Sequence, residues 1–179
     1  MPNSDMPGVM TTRLTPAATA LVVAIVSAAT VGGALVMQHG FGYVPCMLCL
    51  WGRWPHYLGA PLALAAWLLA TRGAPAPARI ALALAALLFL AGAGLSAYHA
   101  GVEWGFWPGP ASCAGANAAP TAAGGLLDQM RATRIVPCDA AAFRILGISL
   151  AGWNALICLA LSAIAALGAR RPGAAQGGA

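Results

Sequence analysis

Residues 45–57 read PCMLCLWGRWPHY. Cys46 and Cys49 stand three positions apart, which puts both side chains on one face of a helix. Such a pair can close a strained, reducible disulfide. Pro45 suits the first position of a helix, so the pair is expected to open one. The free amides and the dipole at a helix N-terminus stabilise a thiolate. Arg53 follows Cys49 by about one helical turn; its fixed charge favours a thiolate or holds an oxygen of a bound acceptor. Zinc would need two more ligands, and the chain has no second Cys-x-x-Cys. Covalent haem attachment needs His directly after the second cysteine, where Leu50 stands. No metal is expected here, and thiol–disulfide exchange is the chemistry these residues serve.

A second pair, Cys113 and Cys138, encloses residues 114–137. A purely structural disulfide closing that loop would contribute about 3 kcal/mol by restricting the unfolded chain. Gly and Pro surround Cys113, however, and Pro137 precedes Cys138. A disulfide in such an exposed setting is open to exchange. Two dithiol pairs in one small protein suggest a relay, in which a thiolate of one pair attacks the disulfide of the other. Cys158 lies in an apolar run and reads as a small hydrophobe.

The elements that position these cysteines follow from the solvent. Hydrophobic residues make up 60% of the chain and charged residues 7%, against about 25% charged in soluble domains. So few charges cannot cover a globule in water, and the bilayer is the expected solvent. Runs without charge place four helices at about 17–37, 54–71, 80–98 and 145–167, the second short for a span. The first run is too long for a signal-peptide core and is read as retained. The resulting fold class is an all-α four-helix membrane bundle. Residues 1–16 form the N-terminus, 17–168 the membrane domain, and 169–179 a disordered tail.

All nine basic residues are Arg. They are too scattered, and too little interleaved with aromatic residues, for nucleic-acid binding, and they read as topology signals. Arg13, Arg72, Arg79, Arg170 and Arg171 fall on one side. Arg53, Arg131, Arg134 and Arg144 fall on the other. The positive-inside rule makes the first side, with both termini, cytoplasmic. The outer loops, about 38–53 and 99–144, then carry both cysteine pairs. The stretch TRGAPAPA at 72–79 reads as a turn. Residues around 126–134 suggest a short surface helix, with Leu126, Leu127 and Met130 toward lipid and Arg131 and Arg134 toward headgroups.

His99 and Glu103 stand one helical turn apart at the outer end of the third helix. An ionisable residue at a membrane boundary is a functional candidate. His39 and His56 read as interface packing. Gly147, Ser149 and Gly152 read as close-packing positions, and Trp153 and Asn154 as an interhelical polar contact. Asp139 reads as a loop residue.

Three blocks, PCMLCLWGR at 45–53, YHAGVEWGFWPGPASC at 98–113 and VPCDAAAFRILGISLAGWN at 136–154, together resemble the disulfide bond formation protein B (DsbB) family over about residues 16–168. The resemblance implies a bacterial inner-membrane protein with its redox loops in the periplasm. It implies a DsbA-like thioredoxin-fold partner that forms a mixed disulfide with Cys113. Cys138 would exchange with Cys46, and Cys49 would then sit as the thiolate against a quinone, ubiquinone or menaquinone, drawn from the membrane pool. Arg53, His99 and Glu103 match the positions that surround that quinone, although a well-known member has Gln where Glu103 stands. The rival readings are a paralogue with a dedicated substrate and a non-enzymatic four-span protein with one structural loop disulfide. The second leaves the Pro-Cys-x-x-Cys unexplained.

Overall fold

The computed structural model describes residues 15–110, 113 and 134–170. The expected surface helix around 126–130, both chain ends and Arg131 lie outside these residues. Helix α1 (Pro16–Gly40) starts where the sequence allows: Thr15 caps it, its hydroxyl accepting from the Ala18 amide at 3.2 Å, and Pro16 occupies the first turn. A two-residue strand β1 (Tyr43–Val44), a single-turn helix α2 (Met47–Trp51) and helix α3 (Trp54–Thr71) follow. Helix α4 (Pro75–Glu103) is 29 residues long. Strands β2 (Arg134–Ile135), β3 (Arg144–Ile145) and β4 (Ile148–Ser149) lead into helix α5 (Leu150–Arg170).

Helices α1, α4 and α5 are long and apolar enough to cross a membrane. Helix α3, with 18 residues, spans about 27 Å at 1.5 Å per residue, and its first turn carries Trp54, Pro55, His56 and Tyr57. It packs between α1 and α4, while α5 packs on α4 and closes against α1.

The packing inverts the habit of soluble proteins. Ala20, Ala24, Ala63, Ala66, Ala85 and Ala165 are inside, with Phe89, Leu82 and Leu161 among the large buried side chains. Leu21, Ile25, Leu84, Leu87, Leu90 and Leu159 point outward. Lipid is as apolar as leucine, so helices in a bilayer associate through small residues that allow close approach. Gly59 shows this: a Cβ there would overlap the Phe89 ring. At Gly92 an added Cβ would come within 2.6 Å of Pro55.

Three segments differ from the sequence-based expectation. The turn expected over 72–79 is confined to residues 72–74, and α4 starts at Pro75. Proline in a first turn gives up an amide that has no helical partner there, so the PAPA run belongs to the helix. At its other end α4 continues to Glu103, so His99 and Glu103 lie on a helix and not in a loop. Residues 145–149, expected to begin the fourth helix, form a hairpin in which β3 pairs antiparallel with β4. Its two turn residues, Leu146 and Gly147, have φ of 52° and 81°, the left-handed values of a two-residue hairpin turn. Ser149 then caps α5, its hydroxyl accepting from the Gly152 amide at 3.2 Å. Gly147 and Ser149 are thus turn and cap residues; Gly152 does pack closely, against Ile148.

Candidate redox site

The segment from β1 to Arg53 carries the first cysteine pair. Cys46 is the N-cap of α2, its sulphur accepting from the Cys49 amide at 3.2 Å. The pair therefore opens a helix as expected, although Pro45 stands one residue ahead of the cap and not at the first helical position. Both thiols are free and half-buried, with their sulphurs 2.9 Å apart. A disulfide needs about 2.05 Å, so a small side-chain rotation closes it.

Helix α4 brings the third group. His99 Nε2 lies 3.8 Å from Cys46 Sγ and 3.9 Å from Glu103 Oε1. These contacts set the charge of the pair. The hydrogen bond shared with Cys49 is the largest influence on Cys46, and with the His99 ring and the Cys49 amide it outweighs burial, holding the Cys46 thiol down at about 4. The same shared proton, together with burial, pushes Cys49 upward. The charge of the reduced pair thus falls on Cys46, the N-cap, and not on Cys49, where the resemblance placed it. Arg53 does not make the contact with the pair that its spacing suggested. It donates to the side chain of Gln38 near the end of α1, a partner that sequence reasoning did not find.

The second pair is a disulfide, Cys113–Cys138, and it is not exposed as the sequence suggested: Cys138 is buried and Cys113 half-buried, because both pack into an apolar cluster. Two features hold it beside the first. The chain folds back after α4: Trp107 stacks on Tyr98 with centroids 5.8 Å apart, donates to the Tyr98 carbonyl at 2.9 Å, and lies against Gly101, where a Cβ would overlap it. From the other side, β2 pairs in parallel with β1, Tyr43 opposite Arg134 and Val44 opposite Ile135. As a result Cys46, Cys113 and Cys138 share one small apolar cluster with Leu48 and Val102. Asp139 is exposed beside Cys138.

A family model described as Disulfide bond formation protein DsbB matches residues 16–168. The chain belongs to the DsbB family. The protein is accordingly a multi-pass membrane protein of disulfide bond formation, with the disulfide oxidoreductase activity of its family. A curated protein of Rickettsia prowazekii (strain Madrid E), named only as uncharacterized protein RP370, is 29% identical over 146 residues, which cover 79% of this chain and 80% of that one. No solved structure matches the chain.

DsbB proteins work with quinones, and a cavity borders the first cysteine pair of this DsbB chain. This cavity of about 690 Å³ opens between α1, α2, α4 and α5, with His56 of α3 at its wall, within the 300–1,000 Å³ usual for small-molecule sites. Apolar residues such as Val31, Met37 and Ile157 line most of it. Cys49, Arg53, His99 and Glu103 all line it as well. Arg53 offers further donors beyond the one given to Gln38, and Glu103 Oε2 is buried without a hydrogen-bond partner among the described residues. The donors of Arg53 suit an acceptor oxygen, whereas Glu103 Oε2 calls for a hydrogen-bond donor or a cation.

His56 corrects the sequence reading. It is not interface packing but a buried residue, 1% exposed, in a polar network that ties the bundle together. Its Nδ1 pairs with the Ser27 hydroxyl at 3.1 Å and its Nε2 with the Asn154 side chain at 3.0 Å. Asn154 in turn donates to the Ser96 hydroxyl and the Gly52 carbonyl. Cys158, buried as expected, lies 3.4 Å from His56 Nε2. Ser27, Ser96 and Asn154 were detectable as polar residues inside apolar helices, positions where polar groups find partners. His39, by contrast, is exposed at the end of α1.

Proposed function

We propose that this protein is a disulfide:quinone oxidoreductase of the bacterial inner membrane. It re-oxidises a periplasmic DsbA-like thioredoxin-fold dithiol and passes the electrons to ubiquinone or menaquinone. The observation that carries the reading is the shared setting of two cysteine pairs in different redox states. The Cys113–Cys138 disulfide and the free Cys46–Cys49 pair meet at one apolar cluster, and the free pair borders the large cavity. In this proposal α3 is a fourth span, both termini are cytoplasmic, and the redox segments face the periplasm.

The reduced partner opens the Cys113–Cys138 bond through a mixed disulfide on Cys113. The freed Cys138 thiolate attacks Cys46 of a Cys46–Cys49 disulfide, and Cys49 leaves. The partner's second thiol then attacks the mixed disulfide, which closes the partner's own disulfide and frees the Cys113 thiolate. Cys113 attacks Cys138 in turn, which restores the loop disulfide and releases Cys46. Two electrons now rest on the first pair, which corresponds to the combination of bonds described above. A bound quinone supplies the acceptor for two electrons and two protons.

The remaining work belongs to the chain. Cys46 and Cys49 hold a single proton between them, so only one has to leave when the pair closes. His99, between Cys46 and Glu103, is positioned to receive and pass it. Arg53, oriented by Gln38, presents a fixed cation to an acceptor oxygen. The apolar walls exclude water from the exchange.

The test is re-oxidation of a reduced thioredoxin-fold dithiol by the purified protein, with and without added quinone. Quinone-dependent turnover that disappears in Cys49→Ser is the expected result. A loop disulfide that resists the partner under all conditions would defeat the proposal.

A further inference from the structure

Zinc needs four donors, and a second Cys-x-x-Cys is not their only source. The sulphurs of Cys46 and Cys49 and Nε2 of His99 all lie within 4.8 Å of one another. Around a tetrahedral zinc ion, with Zn–S near 2.3 Å and Zn–N near 2.0–2.1 Å, such donors stand roughly 3.5–3.8 Å apart. The sulphurs, at 2.9 Å, would need to part by less than an atom's radius, and the Cys46–His99 separation of 3.8 Å is already right.

Glu103 neighbours His99 but lies outside the three residues whose donor atoms already meet, so its side chain would have to swing inward to complete the set. Glu103 Oε1 is 3.9 Å from His99 Nε2, and the Glu103 side chain is 6% exposed. Its other oxygen, Oε2, is buried and has no hydrogen-bond partner among the described residues. A buried carboxylate oxygen left without a partner is costly unless something cationic or a hydrogen-bond donor visits it. The donor set of two sulphurs, one imidazole and one carboxylate suits zinc, which takes Cys, His and Asp/Glu ligands in tetrahedral sites. Three of the four residues, Cys49, His99 and Glu103, line the large cavity, which gives an ion a route to the site.

We propose that the reduced Cys46–Cys49 pair, His99 and Glu103 form a binding site for a thiophilic divalent cation of the zinc class, and that an ion held there prevents the pair from closing. Binding releases the pair's remaining thiol proton to solvent and changes no oxidation state. Closing the disulfide removes both thiolate donors, so the site exists only in the reduced protein. Metal occupancy therefore arrests the chain with its electrons on the first pair. The inference rests on the reading of that pair as a reversible dithiol.

The test uses the full chain in detergent micelles with Cys113→Ser and Cys138→Ser, so that the first pair supplies the only exchanging thiols outside α5. Zinc is titrated anaerobically against a chromophoric chelator, and cobalt is used as a spectroscopic substitute. The expected result is one ion per reduced chain, with tetrahedral cobalt bands and thiolate charge transfer, and none after the pair is oxidised. Even partners outside the ligand shell are worth 10–100-fold in affinity, so His99→Ala should weaken binding by at least about tenfold. The near-isosteric Glu103→Gln should do so as well, while His39→Ala should not. Absence of stoichiometric binding, binding that survives oxidation of the pair, or affinity unchanged in both His99→Ala and Glu103→Gln would overturn the site. Because the readout is metal bound and not turnover, a protein that binds zinc in this way yet oxidises no partner keeps the site and loses the oxidase reading.

Discussion

Cys46 in the reduced protein should carry its charge at every pH above about 4, and alkylation is the way to see it. An ordinary thiol with a pKa near 8.5 is about 3% ionised at pH 7, so full ionisation raises its reactivity roughly 30-fold. Nucleophilicity falls along with pKa, however. A Brønsted coefficient of 0.4–0.5, applied from about 8.5 down to about 4, removes on the order of 100-fold. The two effects nearly cancel, so the absolute rate is a poor diagnostic and the pH profile decides. The sign is that of a depressed acid: the thiolate is present above the lowered pKa and is lost as pH falls through it. Iodoacetamide labelling of Cys46, followed by mass spectrometry in the Cys113→Ser/Cys138→Ser background, should therefore be flat from pH 6 to 8. It should decline only near pH 4. An unperturbed thiol would change about tenfold per pH unit over the same range. Cys49→Ala removes the largest stabilising hydrogen bond and should restore pH dependence more fully than His99→Ala does. A steep profile in the unaltered pair, or no effect of Cys49→Ala, would refute the assignment of the thiolate to Cys46.

Three other outcomes are expected. Cys46→Ser, Cys113→Ser and Cys138→Ser should each abolish turnover in the partner re-oxidation assay, as Cys49→Ser does, whereas Cys158→Ser should retain it. Gly59→Ala should destabilise the bundle by about 1–3 kcal/mol, because its methyl group meets the Phe89 ring and overpacking costs that much; thermal unfolding in detergent measures it. Asn154→Leu leaves His56, Ser96 and the Gly52 carbonyl without that partner and should cost about 1–3 kcal/mol by the same measurement.

The helices were legible because charge is excluded from them, and α3 begins and ends where the uncharged run does. Their ends were less so. Pro75 and Pro77 look like breakers in a linear reading, yet they fall in a first turn, where proline does no harm. Ile145 and Ile148 look like helix because a short apolar run has no period of its own; the hairpin is revealed by Gly147 and the Ser149 cap. The Cys46–Cys49 pair announced its chemistry through local spacing alone. His56 did not, since its partners Ser27 and Asn154 come from α1 and α5. Gln38 stayed hidden for the same reason: its link to Arg53 crosses from one helix to the next. What was missed was the set of contacts made between elements, which no periodicity encodes.

The short parallel ladder between β1 and β2 has a kinetic consequence. Val44 is paired with Ile135, Cys46 lies two positions beyond the first and Cys138 three beyond the second, and in a parallel ladder both chains leave from the same end. Each cysteine is thus tethered to the other by a few residues and a backbone clamp. Short tethers of this kind give effective concentrations in the millimolar range, far above any that a separate protein reaches by diffusion. Exchange between Cys138 and Cys46 should then be a first-order event, unaffected by dilution, while encounter with the partner remains second-order. Inserting glycines after Ile135 should slow the internal step and leave the capture of the partner untouched.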